Sequence, residues 1–74
     1  MKYSICLAIN NKEIGLTSKT IDMTAGITKH YIKKFGAEKI LYGIMRENKN
    51  PEIIEAILFE GTPEDGKEIA KWSN

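Results

Sequence analysis

The sequence predicts an α+β domain, a four-stranded antiparallel sheet with two helices in the order ββαββα. Three observations carry this. Residues Tyr3 to Ile9 alternate strictly between apolar and small or polar side chains. After Asp22 the apolar positions change to helical spacing, up to a glycine stop at Gly36. Phe59-Glu60-Gly61-Thr62-Pro63-Glu64-Asp65 reads as a strand ending where a capped helix begins.

In the first strand Tyr3, Ile5, Leu7 and Ile9 share one face and Ser4, Cys6 and Ala8 the other. Asn10, Asn11 and Lys12 follow. Asparagine tolerates the left-handed backbone of tight turns, so Glu13 to Lys19 is expected to return as a hairpin, with Gly15 marking a bulge. Asp22 is a good N-cap for a first helix whose Met23, Ile27, Tyr31, Ile32 and Phe35 face inward. Gly26 costs this helix roughly 1 kcal/mol relative to alanine.

Lys39 to Glu60 admits two readings. As a hairpin, Lys39–Glu47 and Glu52–Glu60 are strands joined at Asn48, Lys49, Asn50 and Pro51, four turn-formers in a row. As helices, Ile40, Leu41, Ile44 and Met45 share one face, Ile53, Ile54, Ile57 and Leu58 another, and Asn50-Pro51 is a cap followed by proline. The second reading gives an N-terminal hairpin followed by a helical bundle. The preference of isoleucine and aromatics for strands favours the hairpin. Thr62 then caps the last helix, Pro63 opens it, and Ile69, Ala70 and Trp72 face inward.

Length confines the chain to one domain over residues 1–74. The order suggests a doubled unit, 1–37 and 38–74, in which Asn11-Lys12 matches Asn48-Lys49 and Phe35 falls on Trp72. A core this small supplies about 3–5 kcal/mol, which self-association would supplement. If 39–60 is a hairpin, neither of its faces is polar. One carries Ile40, Tyr42, Ile44, Ile53, Ile57 and Phe59, the other Leu41, Met45, Ile54, Ala56 and Leu58. A partner must then cover one of them, a second copy or a host protein.

No apolar run reaches the roughly 18 residues of a membrane span and no basic-then-apolar leader opens the chain, so the expectation is a cytoplasmic protein without membrane contact. Cys6 is the lone cysteine and His30 the lone histidine, too few for a usual zinc site, so no metal or cofactor is expected. There is no phosphate loop and no nucleophile elbow. Cys6 with His30 is a candidate nucleophile and base, but Cys6 lies mid-strand between Ile5 and Leu7 and reads better as a packed small hydrophobe, so catalysis is not expected.

Charge is polarised. Residues 1–51 hold nine Lys/Arg against four Asp/Glu, residues 52–74 two against six. Lys29, His30, Lys33 and Lys34 are neighbours at helical spacing and form a candidate basic patch for phosphates or an acidic protein surface. A pI of 7.8 lies below the values of dedicated nucleic-acid binders, so direct nucleic-acid binding is the alternative rather than the leading reading. Glu60, Glu64 and Asp65 form a candidate acidic contact toward a basic site.

Glu55-Ala56-Ile57-Leu58-Phe59 resembles the pentapeptide by which bacterial replication proteins dock on the DNA sliding clamp, in which a glutamine and a leucine precede, after one variable position, Leu-Phe. Leu58-Phe59 match; Glu55 and Ala56 replace the glutamine and the first leucine. With its length and its isoleucine-, lysine- and asparagine-rich composition, the chain resembles the small phage-encoded host-takeover inhibitors, in particular staphylococcal-phage sliding-clamp inhibitors. The resemblance implies a non-enzymatic inhibitor that blocks a host replication protein, and the apolar ribbon separately leads to the expectation of a homodimer. The expected partner-binding residues are Glu55, Leu58 and Phe59 of the motif, with Leu41 and Met45 of the apolar hairpin face.

Overall fold

The alternation at the N-terminus forms β1 (Tyr3–Asn11) in the computed structural model, which describes residues 2–74. Tyr3, Ile5 and Leu7 are buried on one side, and Cys6 and Ala8 are half-buried on the other. Asn11 makes the turn by accepting at its side-chain oxygen from the N–H groups of Glu13 (2.8 Å) and Ile14 (3.2 Å). Gly15 takes the left-handed conformation there, with φ 83°. The returning strand β2 (Gly15–Asp22) pairs antiparallel with β1 from Asn11↔Gly15 to Ser4↔Asp22.

The first helix is shorter than the spacing predicts. Asp22 does cap, but it caps a turn: its carboxylate accepts from Thr24 N–H at 2.9 Å. Helix α1 (Lys29–Phe35) begins behind Thr28, whose hydroxyl accepts from Tyr31 N–H. The chain around Gly26 makes a separate turn, closed by Ile27 N–H on Met23 carbonyl at 2.8 Å. Gly36, with φ 88°, ends α1 and at once admits α2 (Ala37–Glu47), a redirection that its missing Cβ permits.

That second helix corrects the hairpin expected over Lys39–Glu60, because Lys39–Glu47 is helical. Ile40, Leu41 and Met45 are buried on one face of α2, while Glu38 lies in its first turn and Arg46 in its last, matching the helix dipole. The surrounding residues Ala37, Glu38, Lys39, Leu41 and Met45 are strong helix formers. The other half of the hairpin is a strand as expected, β3 (Ile53–Glu60). It pairs antiparallel with β1, with a shift that leaves Ile54 unpaired between Ile9↔Ile53 and Ala8↔Glu55.

The helix expected from Thr62 is also corrected. Thr62 accepts from Asp65 N–H at 3.2 Å, as a cap would, but Gly66 N–H closes on Thr62 carbonyl at 2.7 Å and the chain turns back. It continues as β4 (Lys67–Ser73), antiparallel to β3. Gly66 is required here: a Cβ on it would lie 2.5 Å from the carbonyl oxygens of both Glu60 and Thr62. Ala70 is buried as expected, and Ile69 and Trp72 are half-buried.

The architecture is therefore α+β, one four-stranded antiparallel sheet with two helices, strand order β2-β1-β3-β4. Along the chain the order is ββααββ. The N-terminal hairpin of the alternative stands, but residues 53–73 form strands rather than completing a helical bundle. An offset of 37 residues sets β1 on α2 and α1 on β4, unlike elements, so the matched residues reflect no structural repeat. The core lies between the sheet and α2, with Tyr3, Ile5, Leu7, Leu41 and Leu58 at its centre and Ile27 contributed by the turn before α1. The opposite face of the sheet carries Cys6, Ala8, Ser18, Thr20, Lys71 and Ser73 around half-buried Ile57 and Phe59. The ribbon apolar on both sides does not exist, because half of its residues belong to α2.

Candidate functional site

The residues expected to meet a partner are dispersed by this fold. Leu58 and Leu41 are each 0% exposed and Met45 is 4% exposed, so all three are core. Leu58 and Phe59 are consecutive in a strand and point to opposite faces, Leu58 under α2 and Phe59 onto the open face. A pair so divided cannot enter one pocket on a partner. Glu55 is engaged by Lys71 across β3 and β4 at 3.4 Å. Glu60 ends β3 opposite Tyr3; burial first, and the Glu60 carboxylate second, push the Tyr3 phenol above its ordinary value. Glu64 and Asp65 are exposed on the β3–β4 turn. The hydroxyl and N–H of Thr24 hold Asp22 below the usual carboxylate range, so the structural role of that residue accounts for its ionisation.

The basic residues stay together. Lys29, His30, Lys33 and Lys34 are all exposed on α1, and the Lys34 ammonium stands 5.3 Å from the centre of the Phe35 ring. Cys6 and His30 are not brought together: Cys6 lies on the open face of the sheet, and α1 packs beside α2 on the other side. Among the described residues no group of three His, Cys, Asp or Glu is placed to hold a metal ion, and no helix is long and apolar enough to cross a membrane.

A groove between α1 and α2 is the feature that the residue pattern does not reveal. It has a volume of about 460 Å³, with Ile27 and Ile40 at its floor, Tyr31, Phe35 and Ile44 along its walls, and the charged heads of Lys39 and Glu47 at its mouth. Tyr31 and Phe35 meet edge to face, ring centres 4.8 Å apart, and each remains 44% exposed. Phe35 is also the wall of a second basin, of about 640 Å³, reaching Tyr42, Arg46 and Ile69. It forms a ridge between the two hollows. The apolar spacing assigns Tyr31 and Phe35 to an inward helix face, but α1 contains no buried residue and touches α2 rather than the sheet. The available signal is local: Tyr31, Ile32 and Phe35 are interleaved with four basic side chains within seven residues.

The site thus combines a preformed apolar hollow, two partly exposed aromatic rings and a mouth that carries one cation, Lys39, and one anion, Glu47. Compared with known proteins, the chain matches no family model, no curated protein and no solved structure.

Proposed function

We propose that the chain is a non-enzymatic protein-binding module whose docking site is the α1–α2 groove. The occupant is a short apolar segment with an acidic flank, received by Tyr31 and Phe35 and held in register by Lys39 at the mouth and Lys34 beside the Phe35 ring. The observation that carries this reading is the pair of aromatic rings left 44% exposed beside a hollow already formed without a ligand. Binding of this kind inhibits by occupying a surface the partner needs. A host replication protein such as the sliding clamp is the target to test first. Contact would run through α1 and α2, since Leu58 is enclosed in the core.

The second reading is a small nucleic-acid-binding regulator. It is favoured by the aromatic rings standing among Lys29, Lys33 and Lys34, an arrangement on which bases stack while cations follow the phosphates.

One experiment separates the two. The protein is used to capture partners from a Gram-positive lysate with and without nuclease, alongside Tyr31→Ala/Phe35→Ala and Lys33→Glu variants. Protein capture that survives nuclease and is lost in the double variant, at a cost of about 2 kcal/mol or more in affinity, supports the docking site. Capture abolished by nuclease, with log affinity falling linearly in log salt, supports the nucleic-acid reading instead. Capture unchanged in the double variant refutes the groove.

A further inference from the structure

The two edges of the sheet are built differently. β4 carries Lys67, Glu68 and Lys71 among its seven residues, and its pairing with β3 includes a register shift. Charges and bulges are the common devices that keep a sheet edge from pairing with another chain. β2 lacks both kinds of protection along most of its length. Its register with β1 is unbroken, it has no proline, and Lys19 is its one cation. Leu16, Thr17, Ser18, Lys19 and Thr20 are all exposed, Leu16 by 69%, and neither helix contacts β2.

The hydrogen bonds of β1 show which β2 groups are free. Asn10 N–H donates to Glu52 carbonyl at 2.8 Å on the β3 side, while Tyr3 carbonyl accepts from Met23 N–H at 2.8 Å on the β2 side. Even-numbered residues of β1 therefore direct their backbone groups to β3 and odd-numbered ones to β2. Through Ile5↔Ile21, Leu7↔Lys19 and Ile9↔Thr17, the odd residues of β2 are the ones that bond β1. The N–H and C=O groups of Leu16, Ser18 and Thr20 point outward along the free edge.

We propose that this edge pairs antiparallel with the same edge of a second copy, with Ser18 on the two-fold axis, joining two sheets into one. The occupant follows from self-complementarity. A two-fold antiparallel pairing sets residues of the same face opposite one another, so its axis must pass through a residue position. Within Gly15–Asp22, axes at Ser18 and at Lys19 give the longest overlaps, 15–21 and 16–22. An axis at Lys19 sets two ammonium groups directly opposite, which is unfavourable. An axis at Ser18 sets Leu16 opposite Thr20 and Thr17 opposite Lys19. The outward backbone groups of Leu16, Ser18 and Thr20 then meet as closely spaced pairs, each exchanging two hydrogen bonds. α2 packs on β3 and β4, away from this edge, so the pairing leaves the α1–α2 groove open and stands or falls independently of its role.

The test is sedimentation equilibrium of the full chain up to millimolar protein, with two variants. The expected result is a reversible monomer–dimer equilibrium that shifts to monomer in Ser18→Pro, which removes an outward N–H that no intramolecular bond uses. Circular dichroism confirms that this variant is folded. Independently, Cys6→Ser/Ser18→Cys is expected to cross-link in oxidised glutathione about tenfold faster or more than Cys6→Ser/Ser73→Cys, which carries its thiol on the β4 edge. A monomer at every concentration overturns the proposal. So does a dimer unchanged in folded Ser18→Pro, or equal cross-linking of the two thiol variants; if Ser18→Pro does not fold, the cross-linking comparison decides.

Discussion

Replacing Leu58 by alanine separates a structural from a recognition role for the Leu58–Phe59 pair. Leu58 is 0% exposed, opposite Ile5 on one side and Ala70 on the other, both of which are buried. Truncation removes its transfer free energy and leaves a cavity that the sheet cannot collapse to fill, a cost of about 3 kcal/mol within the 2–5 kcal/mol range of such changes. For a domain of this size each kcal/mol lowers the melting temperature by roughly 4–8 °C, so the midpoint should fall by about 12–24 °C. Urea unfolding followed by circular dichroism measures both the loss and the slope, which should stay unchanged. Phe59→Ala is the internal control: its ring is half-buried on the open face, so it should cost clearly less. A Leu58→Ala protein destabilised by less than about 1 kcal/mol would show that this side chain is not enclosed as described, and the argument against an exposed docking pair would fail with it.

Three further outcomes derive from local geometry. Gly66→Ala forces a Cβ against two carbonyl oxygens of its own turn and should destabilise by about 3 kcal/mol or more, read in the same urea titration. Thr28→Ala removes the cap of a helix with no buried residue, so its cost of about 1 kcal/mol should appear locally, as roughly fivefold faster hydrogen exchange of α1 amides with little change in the global midpoint. Burial raises the Tyr3 phenol above its ordinary 10.0, so the unfolded chain ionises there first. Stability from this group is complete below pH 10 and is lost as pH rises through the folded value. The urea midpoint should therefore drop on the alkaline side, and less so in Tyr3→Phe.

Legibility in the sequence depended on how many structures each segment could satisfy. Tyr3–Ile9 alternates without exception, and Asn11 and Gly15 supply the turn chemistry, so the first hairpin could be read directly. Ile40-Leu41 and Ile44-Met45 are adjacent apolar pairs, which fit a helix face and a doubly buried strand equally well. Only the sheet decides, since β1 and β3 already form its centre and α2 is needed to cover them. In the last segment Thr62 carries a real capping bond, but whether a cap starts a helix is decided by the residues beyond it, and Gly66 ends this one after a single turn. The four basic residues of α1 could be grouped from spacing alone. The groove could not, because it exists only once Gly36 folds α2 back beside α1.

The position of α1 bears directly on how strongly the proposed site can bind. The face of the sheet is filled by α2 and by Ile27 and Met23 from the preceding turn, so Tyr31 and Phe35 are not needed for the core. Each ring has about 200 Å² of surface, and at 44% exposure a partner could remove about 90 Å² from water, worth about 2 kcal/mol per ring at 25 cal/mol/Å². A total of about 4 kcal/mol only matches the lower estimates of what association costs in lost freedom. The rings alone therefore cannot hold a partner. The remaining affinity must come from further apolar contact in the groove and from Lys34 and Lys39, and charges on an exposed rim act chiefly by accelerating encounter. Binding through this site should show an association rate that falls with salt while dissociation stays nearly constant. A salt-independent association rate would mean that the cations stand beside the site rather than within it.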